Sequence, residues 1–159
     1  MAETDGGAAS TAGSAQPTFR VLAQFLKDLS FENPGLAQQM PQGNDERAQV
    51  KVDVNVAVNK LADSVFESVL EINTAAKTSK GILYNVEVSY GGVFRLEGIP
   101  EAAIQPALFI NAPTLLYPFV RRLVADVTRD GGYPPLLLDP IDFAGLYAQN
   151  RGKINATVN

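Results

Sequence analysis

The side chains able to do chemistry in this sequence are almost all carboxylates. Asp28, Glu32, Asp53, Glu67, Glu71 and Glu87 fall at alternate positions of otherwise apolar stretches, so in extended chain they turn to one side. Paired carboxylates can work as general acid and base in hydrolysis, provided a pocket fixes their spacing. Here the pattern puts them on an open sheet face. The chain has no histidine and no cysteine. That removes disulfides, thiolate metal sites, Cys or His nucleophiles and any Ser-His-Asp arrangement. There is no GxGxxG and no phosphate-binding loop, and Gly91-Gly92 is too little for a nucleotide site. No cofactor or metal is expected. The chemistry left is noncovalent binding.

The totals agree. The 159 residues suggest one domain with a modest core. A net charge of −4 argues against nonspecific nucleic-acid binding and a basic membrane-facing surface. No signal-peptide pattern opens the chain. The longest apolar run, Ala112 to Val127, holds Arg121, Arg122 and Asp126, so it reads as too short and too charged to span a bilayer.

The elements that must position the acids are strands. Residues 1–17 are rich in Gly, Ala, Ser and Thr and read as a disordered tail. Phe19 to Glu32 alternates, with Phe19, Val21, Ala23, Phe25, Leu29 and Phe31 on one parity and Leu22 and Leu26 as exceptions; its length predicts a bulge near Lys27-Asp28. Leu36 to Ala48 is a polar crossover loop with Leu36 and Met40 as its apolar points. Val50 to Val58 carries valine at every second position, a strong β signal. Val65 to Thr78 and Ile82 to Tyr90 follow around a Thr78–Gly81 turn. Gly91-Gly92 suggests a bend before Val93 to Leu96. Four strands joined by short turns predict an antiparallel sheet, aliphatic and aromatic on one face and acidic on the other. Such an acidic face is either a solvated exterior or a dock for a basic partner.

The helices come last. Glu101 to Ile110 predicts one segment, kinked at Pro106, and Asn111 or Ala112 caps the next, with Pro113 at its first position. Leu115, Leu116, Phe119, Val120, Leu123, Val124 and Val127 cover most of its circumference, and Arg121 and Arg122 read as a solvated or salt-bridged spot at the polar edge. Gly131 ends it. The loop Tyr133 to Pro140 is held extended by prolines and displays Leu136, Leu137 and Leu138. Asp142 caps a last helix with Phe143, Leu146 and Tyr147 as its stripe. From Asn150 on the chain reads as frayed, and the glycosylation triplet at Asn155 as chance.

Several of these stretches, in order and spacing, resemble the SecB family of bacterial protein-export chaperones: KDLSFENP (27–34), VKVDVNV (50–56), LADSVFESVL (61–70), VEVSYGGVFRLEGI (86–99), APTLLYPFVRRLV (112–124) and YPPLLLDPIDFAGLY (133–147). The resemblance implies an α+β fold: a four-stranded antiparallel sheet with one long kinked helix and a C-terminal helix, spanning residues 18–150 between a disordered 1–17 and a flexible 151–159. It implies a cytoplasmic homotetramer, a dimer of dimers, with no membrane insertion. It implies a chaperone that binds unfolded precursor proteins without ATP and delivers them to the SecA ATPase.

Residue by residue, the family's SecA-docking surface falls on Asp28, Glu32 and Glu87, with Asn85 where relatives often carry an apolar side chain. The oligomer interface is expected at Val86, Val88, Tyr90, Leu115, Leu116, Phe119 and Leu123. The client groove is expected along Val50, Val52 and Val54, the crossover loop, the stretch Tyr133 to Pro140 with Tyr133, Leu136 and Leu138 foremost, and Phe143, Leu146 and Tyr147. The tail from Arg151 has one Arg, one Lys and no acid, unlike the acidic tails of many relatives. Two rival readings stand beside this one: a SecB-like chaperone dedicated to a toxin–antitoxin partner, and a small hydrolase on a similar scaffold.

Overall fold

The computed structural model describes residues 15–38 and 46–154. Most of the expected tails, together with Met40 and the middle of the crossover loop, lies outside the described residues. The alternating stretches form β1 (Thr18–Glu32), β2 (Gln49–Ala62), β3 (Val65–Thr78) and β4 (Gly81–Glu97). All pairings are antiparallel and the order is β1-β4-β3-β2. Short turns join β2, β3 and β4 as expected. β1 pairs with β4, so the chain crosses from one sheet edge to the other after a single helical turn, α1 (Gly35–Gln38).

Register decides what each face carries. Val52, Val54 and Val56 stand opposite Thr74, Ile72 and Leu70, which stand in turn beside Val86, Val88 and Tyr90. These rungs make the inner, helix-facing side. The odd residues of β3 and β4 turn outward.

β1 departs from simple alternation twice. Register shifts fall between Val21 and Ala23 and between Leu26 and Asp28, leaving Leu22 and Lys27 unpaired. The second is the expected bulge; the first was not foreseen. Between them parity inverts: Gln24 and Leu26 turn inward opposite Gly92 and Tyr90, while Ala23 and Phe25 turn outward opposite Val93 and Gly91. The inward assignment of Ala23 and Phe25 is thereby corrected.

The glycine pair does not bend β4, which runs unbroken from Gly81 to Glu97. Both glycines provide space. A Cβ on Gly91 would lie 2.8 Å from the Phe25 ring on the outer face. A Cβ on Gly92 would lie 2.6 Å from the Phe94 ring and 3.0 Å from the Leu116 Cδ2 on the inner face. The long helix reaches the sheet at this point.

That helix is continuous, contrary to the expected break at Asn111. It comprises α2 (Glu101–Pro106), a π-helical turn (Ala107–Asn111) and α3 (Ala112–Asp130). Asn111 is helical, with φ −71 and ψ −44. The reason lies in hydrogen-bond register. The N–H of Ala112 donates to the carbonyl of Ala107, five residues back. In that register the next donor would be Pro113, which has no N–H, so the carbonyl of Leu108 is left over. The hydroxyl of Ser68 on β3 donates to it at 2.9 Å in a buried position. The wide turn passes the proline, and a sheet side chain satisfies what the proline cannot.

At 30 residues the helix is long and apolar enough to cross a bilayer by length and composition, which overturns the sequence estimate of a shorter run. In the fold its stripe Leu116, Val120 and Val124 is instead fully buried on its own sheet, with Leu70, Ile72, Val86, Val88 and Phe94. It ends at Asp130 with Gly131 as its C-cap, as expected; Gly132 follows with a φ of +93 that suits glycine, and its N–H donates to the Arg129 carbonyl. α4 (Phe143–Ile154) begins as expected, the Asp142 Oδ1 accepting the Gly145 N–H at 3.0 Å, but continues beyond Asn150.

One polar connection spans the outer face. The Lys27 Nζ donates to the Glu67 Oε1 at 2.8 Å, and the Asn59 Nδ2 donates to the Glu67 Oε2 at 3.2 Å. The lysine crosses from β1 over Gly91 to β3, and Asn59 completes the link from β2. The Lys27 hydrogen bond, ahead of the opposing effect of burial and with help from Asn59, holds the Glu67 carboxyl below its ordinary value of 4.5.

Two outcomes follow. Gly92→Ala should lower unfolding free energy by about 1–3 kcal/mol through overpacking against Phe94 and Leu116, read from urea denaturation at fixed protein concentration; a midpoint equal to the parent's would refute it. Because the folded carboxyl of Glu67 titrates below the unfolded one, its contribution is complete above the ordinary value and disappears as pH falls through the depressed one. Glu67→Gln should therefore reduce stability at neutral pH and flatten the acid limb of the urea midpoint against pH. Parallel acid limbs would count against it.

Candidate functional site

The predicted docking residues come together on three successive rungs at one end of the outer face. Asp28 stands opposite Ser89, Ser30 opposite Glu87, and Glu32 opposite Asn85. Asn73 continues the Glu87 rung onto β3 and Asp53 continues it onto β2. Ser30, Glu32, Asp53, Asn73, Asn85 and Glu87 line a shallow hollow of ≈ 130 Å³. Asp28 lies one rung beyond it.

The acids differ in how they are held. Glu71 accepts a hydrogen bond from the Asn55 Nδ2 at 2.7 Å, and Asp53 pairs with Lys51 at 3.2 Å in water. Asp28, Glu32 and Glu87 are exposed, with no ion pair among the described residues. Unneutralised carboxylates on one end of a sheet give a negative potential that attracts cationic groups. Among the described residues no group of three or more acids is arranged to hold a metal ion. Asn85 adds a neutral donor and acceptor at the rim.

The helix side has two apolar flanks separated by the buried stripe, because residues 115 and 119 and residues 117 and 121 lie roughly 200° apart at 100° per residue. On the first flank Leu115 and Phe119 are 44% and 40% exposed. The Tyr90 ring stacks on Phe119 at 5.8 Å and an interplanar angle of 4°. Leu123 is half-buried beside them. Val86, Val88 and Leu116, expected at the same interface, lie inside the chain's own core and support this flank from behind. β1 extends it with Val21, Leu26 and Leu29, all exposed though their rungs face the helix side. Sequence reasoning did not assign those three to a surface. Val21 and Leu29 had the inner parity, but nothing in the pattern says that one helix packs on β3 and β4 and leaves β1 open.

On the second flank the loop after the helix runs back along it. The Tyr133 ring packs on Tyr84 at 4.8 Å, and its hydroxyl lies 2.7 Å from the Asn33 Oδ1 and 3.2 Å from the Leu83 carbonyl. Asn33 in turn donates to the Gly131 carbonyl at 2.9 Å. The Leu136 N–H donates to the Thr128 hydroxyl oxygen at 2.9 Å. Arg121 is exposed, as expected, and it also fastens the loop: its Nε donates to the Leu138 carbonyl at 2.9 Å, and the Tyr117 hydroxyl donates to the Asp139 carbonyl. Burial pushes the phenols of Tyr84, Tyr117 and Tyr133 above their ordinary range, so the last two remain donors at neutral pH.

These bonds fix which leucine faces out. Leu138 and Phe143 turn into the core, the latter edge-on to Tyr117 at 6.1 Å. Leu136 and Leu146 are half-buried, and Tyr147 stacks on Phe109 at 5.8 Å. Leu137 is 61% exposed, the most of any large hydrophobic side chain among the described residues. The expected groove ran along the whole of Tyr133 to Pro140 without singling this residue out, and the alternation of an extended loop was the signal that could have done so. On the β2 edge Val50 and Val52 are each 42% exposed, while Val54 packs against the core.

Known proteins share this chain's sequence and its fold. The family model described as preprotein translocase subunit SecB matches residues 12–153. A protein-export protein SecB of Bradyrhizobium sp. is 46% identical over 148 residues, covering 92% of this chain and 90% of its own. Another, of Mesorhizobium japonicum, is 47% identical, covering 90% and 86%. A third, of Rhizobium meliloti, is 47% identical, covering 92% and 89%. Among solved structures, the SecB-like chaperone of Mycobacterium tuberculosis, in complex with a peptide of the HigA1 antitoxin, shares the fold with a TM-score of 0.63 at 14% identity, covering 78% of this chain and 91% of its own. A four-stranded sheet carrying one long helix and a C-terminal helix, matched over nearly its whole length by export proteins, places the chain in the SecB family.

Proposed function

We propose that the chain is an ATP-independent cytoplasmic chaperone that binds unfolded precursor proteins, keeps them competent for translocation and delivers them to SecA. The observation that carries this reading is the division of labour across one sheet: unpaired acids on the outer face, uncovered apolar side chains on the helix side. Burying a few hundred Å² of apolar surface provides on the order of 10 kcal/mol before ordering costs. That is enough to hold an unfolded segment reversibly without nucleotide chemistry. The edges of β1 and β2 offer main-chain pairing that ignores sequence.

The flank of Leu115, Phe119 and Tyr90 suits self-association into a homotetramer, a dimer of dimers. Leu137, Val50 and Val52 then belong to the client surface, and Asp28, Glu32, Asn85 and Glu87 to the SecA dock. Residues 18–150 form the working domain between two tails. The antitoxin-dedicated reading rests on a protein that shares the fold at 14% identity, whereas the export proteins are 42–47% identical. The export reading is therefore preferred.

Glu87→Lys should weaken SecA binding about tenfold or more, through repulsion at the dock, with oligomer size and client holding unchanged. Unaltered affinity by titration calorimetry would sink the assignment. Val52→Asp with Leu137→Asp should shorten the refolding delay imposed on an unfolded precursor without ATP, while leaving SecA affinity intact. A delay as long as the parent's would remove both residues from the client surface.

A further inference from the structure

We propose that Lys27 is a positioning residue for the acidic dock: its bulge and its bond to Glu67 hold Asp28 and Glu32 on the rungs that align them with Glu87. The inference rests on the docking reading above.

It begins with parity. Phe25 faces outward over Gly91. In a regular strand the next outward residues would be Lys27, Leu29 and Phe31, and Asp28, Ser30 and Glu32 would turn toward the helix. The extra residue at Lys27 reverses this, placing Asp28, Ser30 and Glu32 beside Ser89, Glu87 and Asn85. The acids are a docking face only while the bulge persists.

β1 is an edge strand, with a hydrogen-bonded neighbour on one side only, so its register has half the usual support. The bulged residue itself supplies the rest. Its ammonium is 2.8 Å from the Glu67 Oε1, and the Glu67 Oε2 is tied to Asn59 at 3.2 Å. Glu67 is nearly buried, so leaving it unpaired is costly. The lysine's methylenes cross the strip that Gly91 leaves free, its Cδ 3.3 Å from where a Cβ would stand. From the inner side Phe31 packs on Tyr84 at 5.9 Å, fixing the strand beyond the bulge.

Simple electrostatics predicts the opposite of this proposal. Lys27 is a cation beside the dock, so removing it should make the face more attractive to a basic partner. Positioning predicts weaker binding.

The test titrates full-length protein with SecA, using the parent, Lys27→Met, the charge-balanced pair Lys27→Met with Glu67→Gln, Lys27→Arg and Glu87→Lys. Expected is an affinity loss of about 3- to 10-fold for Lys27→Met and for the charge-balanced pair. Lys27→Arg should restore binding to within about twofold, since it keeps a donor to Glu67. The refolding delay on an unfolded precursor should not change in any of them, as a general structural defect would require. If Lys27→Met does not fold, the pair carries the test, because it leaves no unpaired buried charge. Binding by the pair as tight as the parent's, or tighter binding by Lys27→Met, overturns the positioning role when Glu87→Lys still weakens binding. If Glu87→Lys also binds like the parent, the docking reading falls and this role with it.

Discussion

Gly92 gives the Phe94 ring and the Leu116 δ-methyl the space that a Cβ would fill, and the long helix settles on the sheet there. Gly91, one residue earlier and facing the other way, gives the Phe25 ring and the Lys27 methylenes the same freedom. Neither glycine has positive φ. Their shared property is absence of a side chain at the centre of an inner strand. A Cβ in the first gap would force Phe94 and Leu116 to shift where the helix meets the sheet. A Cβ in the second would crowd Phe25 and the Lys27 methylenes where the lysine crosses to β3. Core packing and the polar link between strands thus depend on two adjacent positions, one for each side of the sheet.

A single helix over a four-stranded sheet cannot cover it. Its stripe Leu116, Val120 and Val124 packs over β3 and β4, leaving the inner faces of β1 and the start of β2 open. Apart from Gln24 those faces are apolar, with Val21, Leu26, Leu29, Val50 and Val52 exposed on them, so the uncovered area is built into the sequence. One open flank carries a stacked aromatic pair, Tyr90 on Phe119, flat and backed by fully buried valines. The other is a loop fastened by Arg121, Thr128 and Tyr117 to the helix, with Leu137 projecting. A flat, rigid patch suits a second folded surface, and a leucine raised on a fastened loop suits a flexible chain.

The sheet was legible because alternation is a local property. Val50 to Val58 and Val86 to Tyr90 announce both strand and face, and the acids of 28, 32 and 87 fall outward as read. What escaped depends on the partner strand or on space. The bulge at Leu22 has no residue signature, and its effect on Ala23 and Phe25 shows only in the register with β4. The glycine pair read as a bend because glycine's freedom and glycine's smallness look alike in a sequence. Asn111 and Pro113 read as a helix start because the π-helical turn that carries the chain past the proline depends on Ser68, far away in sequence. Among the three leucines, direction was set by hydrogen bonds to the loop backbone, which composition does not encode.

The same alternation ties the two surfaces together. β1 places Asp28, Ser30 and Glu32 outward and Leu29 and Phe31 inward with one backbone, so a slip of one residue would exchange them. The acids would meet the helix side, and the apolar residues would meet water on the face proposed for docking. Neither surface can be retuned by insertion or deletion within β1 without inverting the other. The bulge at Lys27 is therefore a constraint on both: it is the point where the outward acids acquire their parity, and the strand beyond it must keep Leu29 opposite Val88 and Phe31 opposite Val86. For the proposed docking and client surfaces, this register takes the place that an active-site geometry has in an enzyme.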